Sequence, residues 1–311
     1  MDDCDLNSEL IAEIKKIIPE ENILENEPMS RHTMFRVGGP ADCFVRVTRI
    51  SQLTQLVRLL HQEQENYYIV GNGSNLLVSD QGYRGFILCT AGGLNQIRAD
   101  GSTIIAEAGA LNSAIAQVAG EHALTGFEFA AGIPGTIGGG MVMNAGAYGS
   151  EMANVVQTVD VLSADGSVHT LTKEQMQFGY RSSIVRGTDK VVLSAVITLT
   201  EGEPEEIRAA MAELAARRAD KQPLEYPSAG STFKRPKGFF AGKLIMDAGL
   251  RGFTVGGAQI SEKHCGFVIN RNHATAQDVY MLISQVQDKV QHDFGVHLEP
   301  EVIMLGDFSI K

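Results

Sequence analysis

Residues 126–149 read GFEFAAGIPGTIGGGMVMNAGAYG and contain eight glycines in 24 positions. Such a density is costly, because each glycine within a regular element loses about 0.5–1 kcal/mol relative to alanine. The apolar residues between the glycines are not typical of a flexible linker; they are Ile133, Pro134, Ile137, Met141 and Val142. We call this stretch the second glycine loop, and it predicts an ordered backbone that closely approaches a large flat ligand.

A shorter stretch, Gly71-Asn72-Gly73-Ser74-Asn75, directly follows a predicted apolar strand, and we call it the first glycine loop. Glycine lets backbone N–H groups approach an anion without an intervening Cβ, and serine and asparagine add donors. The loop matches neither the P-loop pattern nor the Rossmann pattern. A simple β-turn is the alternative, because Asn-Gly is a strong turn dipeptide. Together the two loops predict a bound cofactor, with the first loop suited to two phosphates.

The residues before the second glycine loop predict a helix followed by a βαβ-type unit. The helix extends to about residue 18 and is ended by Pro19, and Ser51 is placed to cap a second helix. Short apolar stretches predict strands at 41–47, 67–70, 76–78 and 86–88.

The remaining residues change this pattern and predict an α+β fold. Asn112 is placed to cap a helix, a further helix starts at Pro204, and Thr275 with Asp278 forms a capping box for the last helix. Strands are predicted at 102–108, 155–162, 168–171, 191–199 and 296–304. The clearest domain break lies at 201–205.

Composition limits the class of protein. A chain of 311 residues predicts two or three compact units. Its net charge of −11 argues against a nucleic-acid partner, which needs a basic footprint. The acidic N-terminus is not a signal peptide, and no apolar run reaches the ~20 residues that span a bilayer, so we expect a cytoplasmic protein without membrane insertion.

The cysteines and histidines predict no metal site. No cysteine pair has CxxC spacing, which favours reduced and mostly buried thiols; the four are Cys4, Cys43, Cys89 and Cys265. His264 and His273 are expected to be core or surface histidines.

The segment 217–251 departs from the acidic character of the chain. It carries eight basic and three acidic residues and is therefore +5 within a protein of −11. An anionic substrate would be attracted to such a segment, although a solvated basic surface is the alternative.

Five motifs occur in an informative order: VGNGSNLLV at 70–78, AGIPGTIGGGMVMNAGAYG at 131–149, FGYRSS at 178–183, AGSTFKRP at 229–236 and LEPEV at 298–302. With them the chain resembles the UDP-N-acetylenolpyruvoylglucosamine reductases over residues 31–304. The resemblance implies an FAD-binding fold of the vanillyl-alcohol-oxidase (PCMH) type in two subdomains, followed by an α+β substrate-binding domain. The corresponding division is an N-terminal helix at 1–19, FAD-binding subdomains at 20–90 and 91–202, and a substrate-binding domain at 203–311.

The resemblance also implies the ligands. NADPH would donate electrons to FAD, and the substrate would be the enolpyruvyl ether of a UDP-sugar. FAD would be bound non-covalently, because neither glycine loop contains the His or Cys through which related oxidases attach it. The residues implied to contact FAD are Gly71, Asn72, Gly73, Ser74, Asn75, Gly132, Ile133, Pro134, Gly135, Gly138, Gly139, Asn144, Ala145 and Gly146.

Three residues are implied to act on the substrate. Arg181 would place a fixed cation beside the substrate carboxylate, Ser231 would donate a proton, and Glu301 would orient the enolpyruvyl group. Outside their motifs these residues would be interpreted as a surface arginine, a turn serine and an exposed carboxylate. Glu299 is a rival to Glu301, because it lies on the same face of an extended strand.

Tyr180, Lys221, Lys234 and Arg235 are the implied substrate contacts. About 40 residues separate Arg181 from Lys221, so the chain resembles the shorter, second type of the family, which lacks a tyrosine-bearing loop. Which residues close over the nucleotide stays open. An oxidase of the same fold and an inactive nucleotide-sugar sensor are the competing hypotheses; the match of Arg181, Ser231 and Glu301 argues against both.

Overall fold

The computed structural model describes residues 8–309, which form two compact units. Unit 1 comprises the residues up to 27 together with 41–72 and 85–215. Unit 2 comprises 28–40, 73–84 and the residues from 216 onward. The first seven residues of the predicted N-terminal helix, including Cys4, lie outside the described residues.

Seven α-helices are present in the described residues: α1 Ser8–Ile17, α2 Ile50–Gln62, α3 Asn112–Glu121, α4 Ile137–Met143, α5 Pro204–Lys221, α6 Ala241–Asp247 and α7 Ala276–Phe294. The capping box that was predicted for α7 is confirmed, since Thr275 Oγ1 accepts the Asp278 N–H at 3.0 Å and the Asp278 carboxylate accepts the Thr275 N–H. Gly295 ends this helix with a φ of 65°, a conformation that glycine adopts without a steric penalty.

The strands are β1 Ile23–Pro28, β2 Pro40–Arg46, β3 Tyr67–Val70, β4 Leu76–Val78, β5 Tyr83–Cys89, β6 Ile97–Asp100, β7 Thr103–Glu107, β8 Leu124–Thr125, β9 Gly146–Ala147, β10 Ser150–Glu151, β11 Val156–Leu162, β12 Val168–Thr172, β13 Val191–Thr198, β14 Thr200–Glu201, β15 Thr254–Val255, β16 Ala258–Ile260, β17 Val268–Asn270 and β18 Ile303–Leu305. The predictions at 67–70 and 76–78 are confirmed residue for residue. Helices and strands are mixed without a repeated βαβ array, so the predicted α+β class is confirmed.

Unit 1 is built on two larger sheets. One has the strand order β1-β2-β5-β3, with β3 and β5 parallel. The other is an antiparallel sheet of order β12-β11-β13-β7-β6. Each sheet covers its own apolar cluster, with helix α2 in the first cluster and helices α3 and α4 in the second. Burying these faces supplies the apolar area that drives folding.

Unit 2 contains the antiparallel sheet β15-β16-β17 and the parallel pair β4 and β18. Helix α7 buries one face in the core of this unit through Val279, Leu282, Ile283, Val286 and Val290. The segment 73–84 is part of unit 2 because Leu76–Val78 pairs with Ile303–Leu305, a contact between residues far apart in sequence.

Three local predictions are wrong. Helix α2 begins at Ile50 rather than after Ser51, and Gln52 accepts hydrogen bonds from the backbone and hydroxyl of Thr48 at this end. Asn112 is the first residue of α3 and not its cap, because an antiparallel bridge to Thr136 keeps Leu111 extended in the capping position. Of the strand predicted at 296–304, only the last residues are in a strand, β18 at Ile303–Leu305. A single bridge between Pro300 and Phe233 precedes it.

Cys43, Cys89 and Cys265 are free and buried, as predicted for reduced thiols. Burial raises the pKa of the Cys43 thiol to about 12 and that of Cys89 to about 11. Within the described part of the chain, no helix is long and apolar enough to cross a membrane. Nor do residues 8–309 contain a group of His, Cys, Asp or Glu side chains that could hold a metal ion.

Asp80 caps the start of α7, since its carboxylate oxygens accept the N–H groups of Ala276 and Gln277 at 2.9 and 2.8 Å. Asp80→Ala should lower the free energy of unfolding by about 1–2 kcal/mol, the usual cost of losing an N-terminal cap. Asp288→Ala, at an exposed position on the same helix, is the control and should have little effect. Urea denaturation gives the free energy of unfolding of each variant. Equal values for Asp80→Ala and Asp288→Ala would contradict the capping role.

Candidate functional site

The second glycine loop folds into a short helix rather than an open loop. Helix α4 begins where the Thr136 hydroxyl accepts the Gly139 N–H at 3.4 Å, and it ends at Asn144, whose φ is 44°. Gly138 has a packing reason to be glycine, because a Cβ there would lie 2.9 Å from the Ala108 oxygen. The loop is therefore ordered, as its apolar residues predict.

The two glycine loops meet within unit 1. Asn72 donates from Nδ2 to the Pro134 oxygen at 2.7 Å. A Cβ on Gly71 would lie 2.4 Å from Thr136 Oγ1, so the backbone at Gly71 approaches the start of α4 as closely as a glycine permits. The part of the first loop in unit 1 thus lies against the N-terminal end of α4.

Arg181 belongs to the same region of unit 1. Gly179 and Ser182 exchange backbone hydrogen bonds of 3.0 and 3.2 Å, which closes a tight turn around Tyr180 and Arg181. The buried Asn144 fixes this turn by donating to the Gly179 oxygen at 3.0 Å, while its own Oδ1 accepts the Ala153 N–H.

The side chain of Arg181 is directed back to the second glycine loop. Its Nη2 donates to the Gly146 oxygen at 3.1 Å, and its guanidinium carbon lies 5.2 Å from the Tyr180 ring centroid. Arg181 has a φ of 52°, which is unfavourable for a residue with a Cβ and persists only where surrounding contacts enforce it. The fold therefore holds this arginine in a defined position at an energetic cost.

Ser231 and Glu301 come together in unit 2. The chain around Thr232 lies between two segments: Thr232 donates to the Gly266 oxygen at 2.9 Å, and its own oxygen accepts the Glu301 N–H at 2.8 Å. Ser231 forms an antiparallel bridge with Phe267. Ser231 is exposed and Glu301 is half-buried.

The first glycine loop contributes to this part of unit 2 through Asn75. Its Nδ2 donates to the Glu301 oxygen at 3.1 Å, and its backbone oxygen accepts the Ile303 N–H at 3.0 Å. Gly73 has a φ of 58°, and a Cβ at this position would lie 1.9 Å from the His32 oxygen. No other residue type fits there without backbone movement.

The predicted substrate contacts differ in their surroundings. Lys234 is paired with Glu299 and its side chain is only 18% exposed, whereas Lys221 is 77% exposed and pairs with Asp220 at 3.0 Å. The guanidinium carbon of Arg235 lies 3.9 Å from the ring centroid of Phe240. Glu299, the rival of Glu301, thus has a partner of its own in Lys234.

Comparisons with known proteins identify the family of the chain. Residues 41–172 match the FAD binding domain family, and 222–305 match the C-terminal domain of UDP-N-acetylenolpyruvoylglucosamine reductase. The reductase of that name from Caldanaerobacter subterraneus subsp. tengcongensis is 51% identical over 96% of this chain and 98% of its own length. The chain belongs to the UDP-N-acetylenolpyruvoylglucosamine reductase family.

Solved structures confirm the predicted fold. The crystal structure of the reductase from Thermus caldophilus matches 91% of this chain and 98% of its own with a TM-score of 0.79 and 35% identity. Alkyldihydroxyacetonephosphate synthase, at 14% identity, matches 63% of this chain and 41% of its own with a TM-score of 0.50, a likeness in fold alone. The predictions of the reductase family, of the FAD-binding fold and of FAD as its cofactor are confirmed.

The residues of the first glycine loop fit an anionic cofactor. In unit 2, the N–H groups of residues 73–75 have no hydrogen-bond acceptor among residues 8–309. Buried or half-buried N–H groups are normally paired, so a row of them without protein acceptors suits the oxygens of a diphosphate. In unit 1, Gly139 is exposed at the start of α4, and a Cβ there would meet only Thr136 Oγ1 at 3.7 Å.

Sequence reasoning missed several residues on which this geometry depends. Thr136 starts α4 and packs against Gly71, and Thr232 connects the Ser231 and Glu301 segments. Both lie inside recognised motifs, but threonine is too common for its type to reveal a structural role. Asn144 is one of the residues predicted to contact FAD. In the structure its side-chain nitrogen and oxygen both bind other parts of the protein, so Asn144 also supports the fold.

The Gly139→Ala variant distinguishes a role of Gly139 in packing from a role in cofactor binding. The helix has room for the methyl group and alanine is the better helix former by about 1 kcal/mol, so we expect no loss of stability. If FAD approaches this surface, its affinity should fall at least about tenfold, because a misplaced methyl group in a close contact costs 1–3 kcal/mol. Flavin titration and thermal denaturation measure the two effects.

Gly120→Ala is the matched control for this prediction. Gly120 is also a helical glycine of unit 1, and its new Cβ would meet only the side-chain ends of Met211 at 3.3 Å and Ile207 at 3.6 Å. FAD affinity should be unchanged in this variant. Unchanged FAD affinity in Gly139→Ala as well would remove Gly139 from the set of cofactor contacts.

Proposed function

We propose that this chain reduces UDP-N-acetylglucosamine enolpyruvate to UDP-N-acetylmuramate, with NADPH as electron donor, in the synthesis of peptidoglycan precursors. The observation that carries the proposal is the family membership combined with the arrangement of Ser231 beside the Glu301 segment in unit 2. FAD, when bound, supplies the two-electron chemistry. The protein residues bind the substrate, stabilise its developing charge and deliver a proton.

Arg181 is the proposed cation for the substrate carboxylate. Addition of hydride to the terminal vinyl carbon builds negative charge on the neighbouring carbon and in the carboxylate. A guanidinium remains charged at all relevant pH values and can bind a carboxylate through two parallel hydrogen bonds. The closed turn at 179–182 and the bond to Gly146 support this role, because they pre-orient the cation.

Ser231 is the proposed proton donor. A hydroxyl is a weak acid in water, but the enolate formed by hydride addition is strongly basic and needs only a well-placed proton. Support comes from the exposure of Ser231 next to the fully buried Thr232, whose hydrogen bonds fix the backbone beside the exposed residue. Glu301 is proposed to orient the enolpyruvyl group, as its place in the LEPEV motif implies, and its N–H is bound to the Thr232 oxygen beside Ser231.

Lys221, Lys234, Arg235 and Tyr180 are proposed to contact the UDP-sugar. The excess of basic residues between 217 and 251 suits a ligand that carries a diphosphate and a carboxylate. FAD is proposed to be bound without a covalent link along the two glycine loops, which contain neither His nor Cys. The domain division, the absence of a nucleic-acid partner and the cytoplasmic location stay predictions.

Anaerobic mixing tests the proposed function against an oxidase of the same fold. NADPH should bleach the flavin absorbance, and the absorbance should return only when the enolpyruvyl UDP-sugar is added. Recovery with air and an alcohol, but not with the UDP-sugar, would support the oxidase. An inactive sensor would bind the UDP-sugar without recovery of the absorbance.

Ser231→Ala should leave the NADPH-dependent bleaching nearly intact and slow the recovery by about 10²–10⁴-fold, the usual contribution of a general acid. The reason is that only the second half-reaction creates a carbon that must be protonated. Ser231→Cys keeps a protic group and should restore part of the rate. Stopped-flow measurement of both half-reactions provides the comparison.

Ser228→Ala is the matched control, since the Ser228 hydroxyl donates to the Val268 oxygen at 2.8 Å and serves only the local fold. It should leave both half-reactions near the wild-type rate. Equal slowing of the two half-reactions by Ser231→Ala would make Ser231 a structural turn residue, with Glu301 as the next candidate donor.

Lys221→Ala should raise the substrate KM at least about tenfold and lower kcat much less, because a charge-assisted contact of about 1.5–3 kcal/mol to the diphosphate is the same in ground and transition states. Lys243→Ala is the matched control: this lysine is also exposed and paired with an aspartate, Asp247, in the same basic segment. Steady-state kinetics should show a change in KM for Lys221→Ala alone. A defect confined to kcat would contradict the binding role.

A further inference from the structure

The segment 261–267 of unit 2 is a tightly hydrogen-bonded turn that precedes β17. Ser261 is almost completely buried, and its hydroxyl accepts the N–H groups of Lys263 and His264 at 3.2 and 3.3 Å. The ends of the turn are joined where the Ser261 N–H donates to the Phe267 oxygen at 2.9 Å. The Phe267 N–H also donates to the His264 oxygen at 3.0 Å, whereas the Gly266 N–H takes its contact from a side chain.

The ring of His264 makes that contact. Its Nδ1 accepts the Gly266 N–H at 3.0 Å, and the ring packs edge-to-face on Phe267 with centroids 4.9 Å apart. A Cβ on Gly266 would lie 2.9 Å from His264 Cε1, so only glycine permits this approach. Gly242 of helix α6 lies on the other side of the His264 ring, and a Cβ on Gly242 would lie 3.4 Å from His264 Cε1.

The Gly266–Phe267 pair carries this constraint to the proposed proton donor. The oxygen of Gly266 accepts the Thr232 N–H at 2.9 Å, and Phe267 forms the backbone bridge with Ser231. One residue thus has its N–H bound to His264 and its oxygen bound next to Ser231. A change at the imidazole therefore reaches the serine backbone through the two peptide units that meet at Gly266.

We infer that His264 is a positioning residue for Ser231, acting as a neutral hydrogen-bond acceptor that sets the orientation of the Gly266 peptide. The inference deepens the proposed function and rests on it, because it takes Ser231 as the proton donor. Accepting at Nδ1 requires a lone pair there, so the ring carries its single proton on Nε2.

The environment of the ring maintains this state. Burial lowers the pKa of His264, because an imidazolium loses its hydration in the half-buried site. The ring therefore remains neutral at pH 7, and Nδ1 keeps the lone pair that the Gly266 N–H needs.

Two substitutions separate the acceptor from the ring. His264→Phe keeps a ring of similar shape against Phe267 but removes the acceptor, whereas His264→Asn places its Oδ1 near the position of Nδ1. We expect His264→Phe to slow the second half-reaction about 10–100-fold with little change in substrate Kd, since misplacement of a catalytic group by about 1 Å can cost about 10²-fold. His264→Asn should recover most of the rate, and bleaching by NADPH should be unchanged in both.

His273→Asn is the matched control. His273 is an exposed histidine of the same unit with a φ of 50°, a conformation that asparagine tolerates, and its replacement should leave both half-reactions unchanged. If His264→Phe does not fold, His264→Gln serves instead, because its longer side chain moves the acceptor away from the Gly266 N–H and should give the same defect.

A double variant shows whether His264 acts through Ser231. Ser231→Ala combined with His264→Phe should be no slower than Ser231→Ala alone, since residues that act as a unit are not additive. Additive losses would overturn the inference. A slow second half-reaction in Ser231→Ala with a normal one in His264→Phe would overturn it while leaving the proposed function intact; a normal rate in Ser231→Ala would instead refute the proton-donor assignment.

The tautomer gives a readout that does not depend on activity. Nitrogen-15 NMR of the wild-type protein at neutral pH should show His264 protonated on Nε2 alone, with an Nδ1 shift typical of an acceptor. A proton on Nδ1, in either the other neutral tautomer or the imidazolium, would overturn the inference whatever the kinetics.

Discussion

Thr232 is the residue on which the candidate catalytic part of unit 2 depends. It is fully buried, and all three of its hydrogen-bonding groups have partners: the N–H binds the Gly266 oxygen, the carbonyl accepts the Glu301 N–H, and Oγ1 accepts the Val268 N–H at 3.0 Å. A buried polar group without a partner costs about 1–3 kcal/mol, so the three bonds together strongly favour one backbone arrangement. Ser231 and Glu301 are thereby placed on the two sides of a residue that cannot shift without breaking several bonds.

Unit 1 uses side-chain amides for the same purpose. Asn72 joins the first glycine loop to the second, and Asn144 joins the second loop to the turn that carries Arg181. These amides satisfy backbone groups that irregular segments would otherwise leave unpaired. The glycines permit the close approach of the chains, and the asparagines then hold them there, which explains why both residue types occur together in these loops.

The sequence allowed most regular elements and the family to be predicted, because each leaves a local pattern or motif; the site residues stay predictions. Strand 67–70, strand 76–78 and the capping box at Thr275 follow from periodicity and side-chain type alone. Contacts between distant segments leave no such pattern. The pairing of β4 with β18 moves residues 73–84 into unit 2, and the bridge between Leu111 and Thr136 displaces the expected cap at Asn112. Asn112 itself is fully buried, and neither Oδ1 nor Nδ2 has a partner among the described residues, which no sequence rule anticipates.

The residues that support the chemistry are harder to predict than those that perform it. Arg181 and Ser231 can be proposed as catalytic residues because their types and motifs suit the reaction of the family. Thr232 and His264 are ordinary residues whose importance lies in which backbone groups they bind, and this becomes visible only in three dimensions. A hydroxyl has little intrinsic acidity, so a serine can serve as a donor only if its distance and direction to the acceptor carbon vary little. The weaker the acid, the more the reaction depends on the rigidity of its surroundings, and a dense hydrogen-bond network behind Ser231 is the arrangement that such a donor requires.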